Sequence, residues 1–280
     1  MAEMKGLESL LNIQTGITME STSEICDNHP NNKKRPFYMM IIDGEKVCPA
    51  CECQKETEAL EKKESDRLNA ADQNQKHSMF KRDSILTDIG LLEASFKTYI
   101  AEQPEETANK EKAAEAFRRY KQEQVFNTWL VGNPGVGKSH LAMSILRNCN
   151  EMGTRDKSCL FVSVDEMLLR IRSSFSDKES KYTEFYFIDL LTKADFLVLD
   201  DLGAETGGTG TEKKATDFTM RVLYGIANGR QNKPTIITSN LSLIALEKMY
   251  DPKLVSRLMR NTFLIRFRET TDKRIRNITF

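Results

Sequence analysis

The sequence predicts an α/β protein with a mainly parallel, doubly wound sheet, preceded by a small zinc-binding module and a charged helical linker. Three observations support this prediction. Short apolar runs alternate with helical patterns from about residue 84 onward. A glycine-rich loop connects the first of these runs to a helical pattern. Cysteine and histidine residues are crowded before residue 54.

Composition limits the classes of function. The 280 residues include 41 Lys and Arg against 41 Asp and Glu, so the formal net charge is zero. This balance argues against a wholly cationic nucleic-acid coat protein and confines any nucleic-acid contact to a local patch. No apolar run approaches the roughly 20 residues that span a bilayer. No signal-peptide core follows Met1, so we expect a soluble, cytoplasmic protein with no membrane partner.

Residues 1–54 are predicted to form the zinc-binding module. Two residues separate Cys26 from His29, and two separate Cys48 from Cys51. Two such pairs can complete a tetrahedral Zn²⁺ site, and clustered cysteines in a reducing compartment bind metal more often than they pair. Cys53 could replace one of the four ligands. Free thiols in a small apolar knot are the alternative.

Local patterns predict the elements around this site. The apolar run Phe37–Ile42, followed by Asp43-Gly44, predicts a β-hairpin with a type I′ turn. The leucines within Leu7–Leu11 fit one face of a short helix. Residues 55–83 contain mainly Glu, Lys, Gln and Asn, which predicts a solvated helix or a mobile linker that contains the domain boundary.

Residues 84–280 are predicted to form the α/β domain. A segment rich in Ala, Glu, Lys and Arg predicts a helix over 108–124. Helical patterns fall between the apolar runs, as expected for a parallel sheet with crossover helices. The runs predict five strands, at 129–131, 159–164, 196–199, 235–239 and 263–267.

A phosphate-binding loop is the most specific motif. It fits G-x-x-x-x-G-K-[ST], follows a predicted strand and opens a predicted helix. Its glycines allow backbone N–H groups to surround a phosphate, while Lys138 is expected to reach the β and γ phosphates and the Ser139 hydroxyl to bind Mg²⁺. The predicted nucleotide-binding residues are Gly132, Asn133, Pro134, Gly135, Val136, Gly137, Lys138, Ser139, His140 and Asp200.

An apolar strand that ends in Asp200 and Asp201 supplies acidic groups. Ligands bind at the carboxyl edge of such sheets. We therefore expect Asp200 to hold Mg²⁺ and Asp201 to orient or deprotonate the attacking water. Asn240 follows the next strand and could also position that water, although Asn is equally suited to cap a helix.

The C-terminal region is basic. Residues 251–280 carry eight Lys or Arg against three Asp or Glu. Arg257 lies on a predicted helix, and an arginine supplied across a subunit interface can neutralise charge that develops on a γ-phosphate. The alternatives are a solvated basic surface and phosphate contacts to nucleic acid. Spacing alone does not choose among these three.

Four segments in this order resemble the DnaC/DnaI helicase-loader group of AAA+ ATPases. The resemblance runs from about Phe96 to the C-terminus and implies an AAA+ P-loop sheet. His140 belongs to His-Leu-Ala, a narrower marker than the phosphate loop itself. The four segments are Gly135–Ala142, Leu197–Glu205, Pro234–Leu241 and Ser256–Leu258.

The resemblance also implies roles for individual residues. Asp200 and Asp201 match the Walker B acids, and Asn240 matches sensor I. Arg257 matches the arginine finger and implies self-assembly, while Arg274 resembles sensor II, with Arg276 as a rival. Many AAA+ enzymes carry Glu where this chain has Asp201. A shorter acid implies slow, partner-stimulated hydrolysis.

The implied function is an ATP-switched loader that delivers a DnaB-type helicase hexamer onto single-stranded DNA, with ATP, Mg²⁺ and Zn²⁺ as cofactors. DnaI-like loaders carry an N-terminal zinc module that contacts the helicase, and residues 1–54 are similar in architecture and ligand type. The alternative is an IstB-type transposition helper, which shares this ATPase signature but acts on duplex DNA. A small-molecule P-loop kinase is a third possibility, against which the basic C-terminal strand and Thr238-Ser239-Asn240 argue.

Overall fold

The computed structural model describes residues 18–29, 36–206 and 214–274. The chain divides into two compact units, Met1–Ala71 and Asp72–Phe280. The helix predicted at Leu7–Leu11 lies outside the described residues. Within those ranges, no helix combines the length and the apolar character needed to cross a membrane.

The first unit contains a three-stranded antiparallel sheet in the order β1-β2-β3. The predicted hairpin is confirmed, and Asp43 and Gly44 have φ angles of 49° and 86°, in the left-handed region that a type I′ turn requires. The sequence does not predict β1, because its side chains are polar and mostly exposed and give no alternating apolar pattern. The strands are β1 (Met19–Ile25), β2 (Tyr38–Ile42) and β3 (Glu45–Val47).

A long helix, α1 (Pro49–Asp83), follows β3. It is exposed along nearly its whole length, so the charged segment 55–83 is a solvated helix that starts earlier than the sequence predicts. Its residues from Asp72 onward belong to the second unit, where Phe80 is buried.

The second unit is built on five parallel strands in the order β5-β6-β7-β4-β8. This confirms the predicted α/β architecture and all five predicted strands. The strands are β4 (Asn127–Val131), β5 (Cys159–Ser163), β6 (Phe196–Asp200), β7 (Thr235–Ser239) and β8 (Thr262–Arg266).

Helices cover both faces of this sheet. One of them, α2, begins earlier than the predicted residue 108, because the Glu106 carboxylate accepts the backbone N–H of Gln103 and Pro104 suits the first helical turn. The helices are α2 (Pro104–Lys121), α3 (Lys138–Asn150), α4 (Val164–Ser174), α5 (Glu184–Lys193), α6 (Asp217–Gly229), α7 (Leu243–Met249) and α8 (Pro252–Leu258).

Alternate strand residues enter two separate apolar layers. Leu197 and Leu199 of β6 pack in one layer with α4, α5 and α6. Val198 packs in the other layer with α2 and α3. This double coverage explains why β6 is apolar at consecutive positions. It also fixes the carboxyl ends of β4, β6 and β7 side by side at one edge of the sheet.

Candidate nucleotide site and candidate metal centre

The loop between β4 and α3 has a backbone that requires glycine. Gly135 and Gly137 have φ angles of 75° and 94°. A Cβ at Gly135 would lie 1.8 Å from the Asp272 carboxylate, and a Cβ at Gly137 would lie 2.7 Å from the ring of Tyr99. The loop therefore needs glycine for its conformation and for the close approach of its neighbours. Its N–H groups precede the N-terminus of α3, which is a favourable place for an anion.

Lys138 is held at the centre of this loop. Its Nζ donates hydrogen bonds to the carbonyl oxygens of Gly132 at 2.9 Å and Asn133 at 2.7 Å, and to Oδ1 of Asn240 at 2.7 Å. The side chain is only 5% exposed, and burial lowers its pKa to about 8. The structure thus brings together Lys138 and Asn240, which are far apart in sequence.

The two acids at the end of β6 share a partner on β7. The Thr238 hydroxyl donates to Oδ1 of Asp200 at 2.7 Å and accepts the N–H of Asp201 at 2.8 Å. Burial, with the adjacent charge of Asp201, raises the pKa of Asp200 to about 6, although hydrogen bonds from Thr238 and Ser139 act in the opposite direction. The side chains of Ser139 and Asp200 thus interact. Two neighbouring oxygen donors fit the preference of Mg²⁺.

Lys138, Ser139 and Asn240 border a cleft of about 290 Å³, whereas Asp200 is buried and is not among its lining residues. Pro134, Asp201 and Arg274, all of them candidate site residues, also line it. Val136, in contrast, is fully buried in the apolar layer below the loop and serves packing. Arg276, the rival of Arg274, lies outside the described residues.

His140 also borders the cleft, but its ring contacts a neighbouring segment of the protein. Nε2 donates to the carbonyl oxygen of Ser95 at 3.0 Å and lies 3.2 Å from the Thr98 hydroxyl. The ring packs edge-on against Tyr99 at 5.4 Å, and burial lowers the pKa of His140. His140 thus fixes the segment before α2 against the phosphate loop.

Three cleft residues are missed by the sequence analysis: Asp88, Leu91 and Lys273. Asp88 caps the short 3₁₀ turn Ile89–Glu93 by accepting the N–H of Gly90. None of the three belongs to a local motif. Only the tertiary fold brings them to the phosphate loop.

Arg257 is not among the residues that line this cleft. Its guanidinium lies 4.6 Å from the centre of the Tyr224 ring, and Nη1 donates to the carbonyl oxygen of Lys253 at 3.1 Å. Its buried Nε has no hydrogen-bond partner within the described part of the chain. The structure therefore does not bring Arg257 to the nucleotide cleft of its own chain.

The four predicted zinc ligands converge in the first unit. Their ligand atoms all lie within 4.8 Å of one another. Sγ of Cys26 is 3.5 Å from Sγ of Cys51 and 3.4 Å from Nδ1 of His29, which is 3.8 Å from Sγ of Cys48. Tetrahedral Zn²⁺ with ordinary bond lengths separates its ligand atoms by about 3.5–3.8 Å. The group fits zinc, whereas Cys53 is exposed and lies outside it.

Aromatic residues that follow α4 or lie on α5 divide into two sets. Phe187 is buried in the core, as a structural role requires. Phe175 and Phe185, however, are 66% and 80% exposed. The Lys181 ammonium lies over the ring of Tyr182 at 5.2 Å. The segment 175–185 thus carries exposed aromatic rings and lysines, a combination that suits single-stranded bases.

Comparison with known proteins places the chain among ATP-binding proteins. Residues 74–264 match the sequence model of IstB-like ATP binding proteins. The chain is 26% identical over 204 residues to the replicative helicase loader DnaC of Buchnera aphidicola subsp. Schizaphis graminum, covering 70% of this chain and 76% of that protein. It is 27% identical over 129 residues to the uncharacterized protein YqaM of Bacillus subtilis (strain 168). That match covers 45% of this chain and only 38% of YqaM.

Solved structures show the same fold. A crystal structure of the DnaC helicase loader superposes with a TM-score of 0.53 at 21% identity, covering 65% of this chain and 100% of that one. A crystal structure of DnaI gives 0.51 at 23% identity, covering 65% and 95%. Together with the sequence matches, these confirm the predicted AAA+ α/β fold and the predicted resemblance to the ATPases of the DnaC/DnaI group.

Proposed function

Because the chain belongs to the family of IstB-like ATP binding proteins, we propose that it is an ATP-dependent loader that delivers a DnaB-type replicative helicase hexamer onto single-stranded DNA during replication initiation. The supporting observation is the cleft where Asn240 holds Lys138 beside Asp201, in a chain that matches a replicative helicase loader over 70% of its length. Such a protein acts in the cytoplasm.

In this proposal, Lys138 exchanges its carbonyl and amide partners for the β and γ phosphates of ATP. Ser139 and Asp200 would hold Mg²⁺, which would neutralise phosphate charge when bound. Asp201 then orients the attacking water. Asn240, once released by Lys138, is free to help position that water. Nucleotide binding would thus release Asn240 from Lys138 and allow it to contact the attacking water.

Hydrolysis in this proposal is slow until subunits assemble. Asp201 is a short acid, and the cleft receives no contact from Arg257 of the same chain. Arg257 instead serves the site of a neighbouring copy, as an arginine finger. Its stacking on Tyr224 keeps the guanidinium partly desolvated before assembly.

The N-terminal region supplies the helicase contact. We assign residues 1–54 to a zinc-stabilised, helicase-binding module, 55–83 to the helical linker and 84–280 to the ATPase domain. Cys26, His29, Cys48 and Cys51 would hold one Zn²⁺. Four protein ligands leave no open coordination position, so the ion would be structural.

Single-stranded DNA is the proposed nucleic-acid partner. Phe175 and Phe185 are exposed large aromatic side chains next to Lys178 and Lys181. Bases can stack on such rings while the cations neutralise backbone phosphates. This surface supports a single-stranded rather than a double-stranded substrate.

The alternative is an IstB-type transposition helper, because the matched family is that of IstB-like ATP binding proteins. Such a protein would bind duplex DNA without a helicase. The DnaC relative and the Cys/His group favour the loader.

An experiment with purified helicase separates these two functions. The full chain, with ATP, should bind a DnaB-type hexamer and prefer single-stranded DNA over duplex of the same length. Cys48→Ser should lose the helicase while Cys53→Ser, the matched control outside the ligand group, keeps it. Tight duplex binding with no helicase capture by the parent chain would favour the transposition helper.

A further inference from the structure

The segment after β8 returns to the phosphate loop, and hydrogen bonds hold it at both ends, to α2 at one end and to the loop at the other. We call residues 268–274 the basic strap. At its far end, the backbone N–H of Lys273 donates to the carbonyl oxygen of Gly135 at 3.0 Å. The N–H of Arg274 donates to Oδ1 of Asp272 at 2.8 Å. The strap thus brings Arg274 to the border of the nucleotide cleft.

A single carboxylate holds the near end of the strap. Glu105, in the first turn of α2, accepts the N–H groups of Arg268 at 2.7 Å, Glu269 at 3.0 Å and Thr270 at 2.7 Å. It also accepts the Thr270 hydroxyl at 2.5 Å. Successive N–H groups that converge on one anion form a nest. Glu105 fills this nest and fixes the path of the strap.

The electrostatics of Glu105 agree with this role. Burial acts to raise its pKa, but the hydrogen bonds from Thr270, Arg268 and Glu269 outweigh that effect and hold the pKa below its ordinary value. The carboxylate is therefore ionised near neutral pH and accepts charge-assisted hydrogen bonds, which are stronger than neutral ones.

The adjacent glutamate reinforces the strap. Glu106 is fully buried and lies 3.5 Å from Nζ of Lys273, which also donates to the carbonyl oxygen of Ile100 and lies 3.9 Å from the centre of the Tyr99 ring. Lys273 is thus engaged by protein groups. Arg274 is exposed and lines the same cleft as Lys138. Arg274 is therefore placed to act on the phosphates that Lys138 would bind.

We propose that Glu105 is a positioning residue of the nucleotide site, which fixes the basic strap so that Arg274 stands beside the phosphates and distinguishes ATP from ADP. This inference rests on the proposed function of the cleft as an ATP site. Glu105 does not touch the nucleotide itself; it acts through Arg274. If Glu105 only stabilised the fold, its replacement would not change the ratio of the affinities for ATP and ADP.

The test measures the affinities of the full chain for ATP and for ADP by calorimetry with Mg²⁺. Glu105→Ala should lose about tenfold in ATP affinity, the size of one charge-assisted hydrogen bond, and keep its ADP affinity. Glu105→Gln, which retains an acceptor oxygen but no charge, should lie between. Glu115→Ala is the matched control, because Glu115 is exposed on the same helix.

A double variant shows whether Glu105 acts through Arg274. Arg274→Ala should reproduce the ATP-specific loss, and Glu105→Ala should add less than about twofold to it, since residues of one network are not additive. Independent, multiplying losses would overturn the proposal. So would equal losses of ATP and ADP in Glu105→Ala, or affinities equal to those of Glu115→Ala.

Two further variants keep the outcome interpretable. If Glu105→Ala does not fold, Thr270→Val removes one of the four donors, and an unchanged ratio of ATP to ADP affinity in that variant would overturn the proposal. Lys138→Ala tests the ATP site itself. A parent chain that binds no ATP contradicts the proposed function, whereas ATP binding with an unaltered Glu105→Ala contradicts only this inference.

Discussion

At the scale of single residues, Lys138 is the group on which nucleotide binding should depend most. Its ammonium donates hydrogen bonds to three oxygen atoms, and phosphate oxygens would take the place of these acceptors when ATP binds. Lys138→Ala removes the ammonium charge held in the loop and should weaken ATP binding about 100-fold, the value of one to two charge-assisted hydrogen bonds. Equilibrium binding of a fluorescent ATP analogue measures this. Lys112→Ala, an exposed lysine on α2, is the control, and equal binding by Lys138→Ala and the control would refute the site.

The sequence predicts this residue because the phosphate loop is a contiguous motif whose chemistry needs a fixed spacing. Asp200, Asp201 and Asn240 can also be identified from the sequence, since each lies at the end of an apolar strand. Lys273 and Leu91 cannot be identified in this way, because loops far from the motif in sequence bring them to the cleft. The spacing of residues along the chain does not reveal contacts that only the tertiary fold creates.

At the scale of elements, the group of Cys26, His29, Cys48 and Cys51 should organise the small sheet. The three strands bury little apolar surface, as the exposure of β1 shows. A structural metal supplies folding free energy directly. We expect about one zinc per chain by metal analysis, the stoichiometry of a four-ligand site. Cys48→Ser should lose it and retain ATP binding. Zinc that persists in Cys48→Ser but disappears in Cys53→Ser would move the ligand assignment to Cys53.

A buried arginine fastens three elements of the ATPase unit. Arg230 is 4% exposed, and its guanidinium donates to the carbonyl oxygens of Leu191 and Ala194 at the end of α5, and to Pro234 before β7. Arg230→Ala leaves these acceptors without partners and should cost about 3 kcal/mol or more in the free energy of unfolding.

Chemical denaturation measures this cost. Arg221→Ala is the control, because Arg221 forms an exposed ion pair with Glu184, and exposed pairs contribute about 1 kcal/mol or less. A stability of Arg230→Ala within that smaller range would show that the network is not needed.

The elements themselves were predictable to different degrees. The five strands of the ATPase unit are buried on both faces, so continuous apolar runs mark them. β1 lacks that signal because water covers most of its side chains. The helical start at Pro49 was also missed, since the cysteines that open α1 suggest a metal loop rather than a helix.

At the scale of the whole molecule, Arg257 should connect hydrolysis to assembly. It lies outside the nucleotide cleft of its own chain, so we expect it to serve a neighbour. Arg257→Ala should keep ATP affinity and lose the hydrolysis that the helicase or single-stranded DNA stimulates, by about 10³–10⁵-fold.

Mixing Arg257→Ala with Lys138→Ala protein tests the shared site, because each variant carries the part that the other lacks. Phosphate release should partly recover in the mixture. A mixture that remains inactive while both variants assemble, or normal hydrolysis by Arg257→Ala alone, would assign Arg257 to another surface.

In the proposed function, ATP binding by this chain drives helicase loading. The most direct measurement is the amount of a DnaB-type hexamer that becomes trapped on closed circular single-stranded DNA, which has no end for threading. We expect the full chain with ATP to increase this amount well above that reached by helicase alone. The variants Lys138→Ala and Cys48→Ser should not increase it. Equal trapping with and without the chain, or full loading by Lys138→Ala, would contradict it.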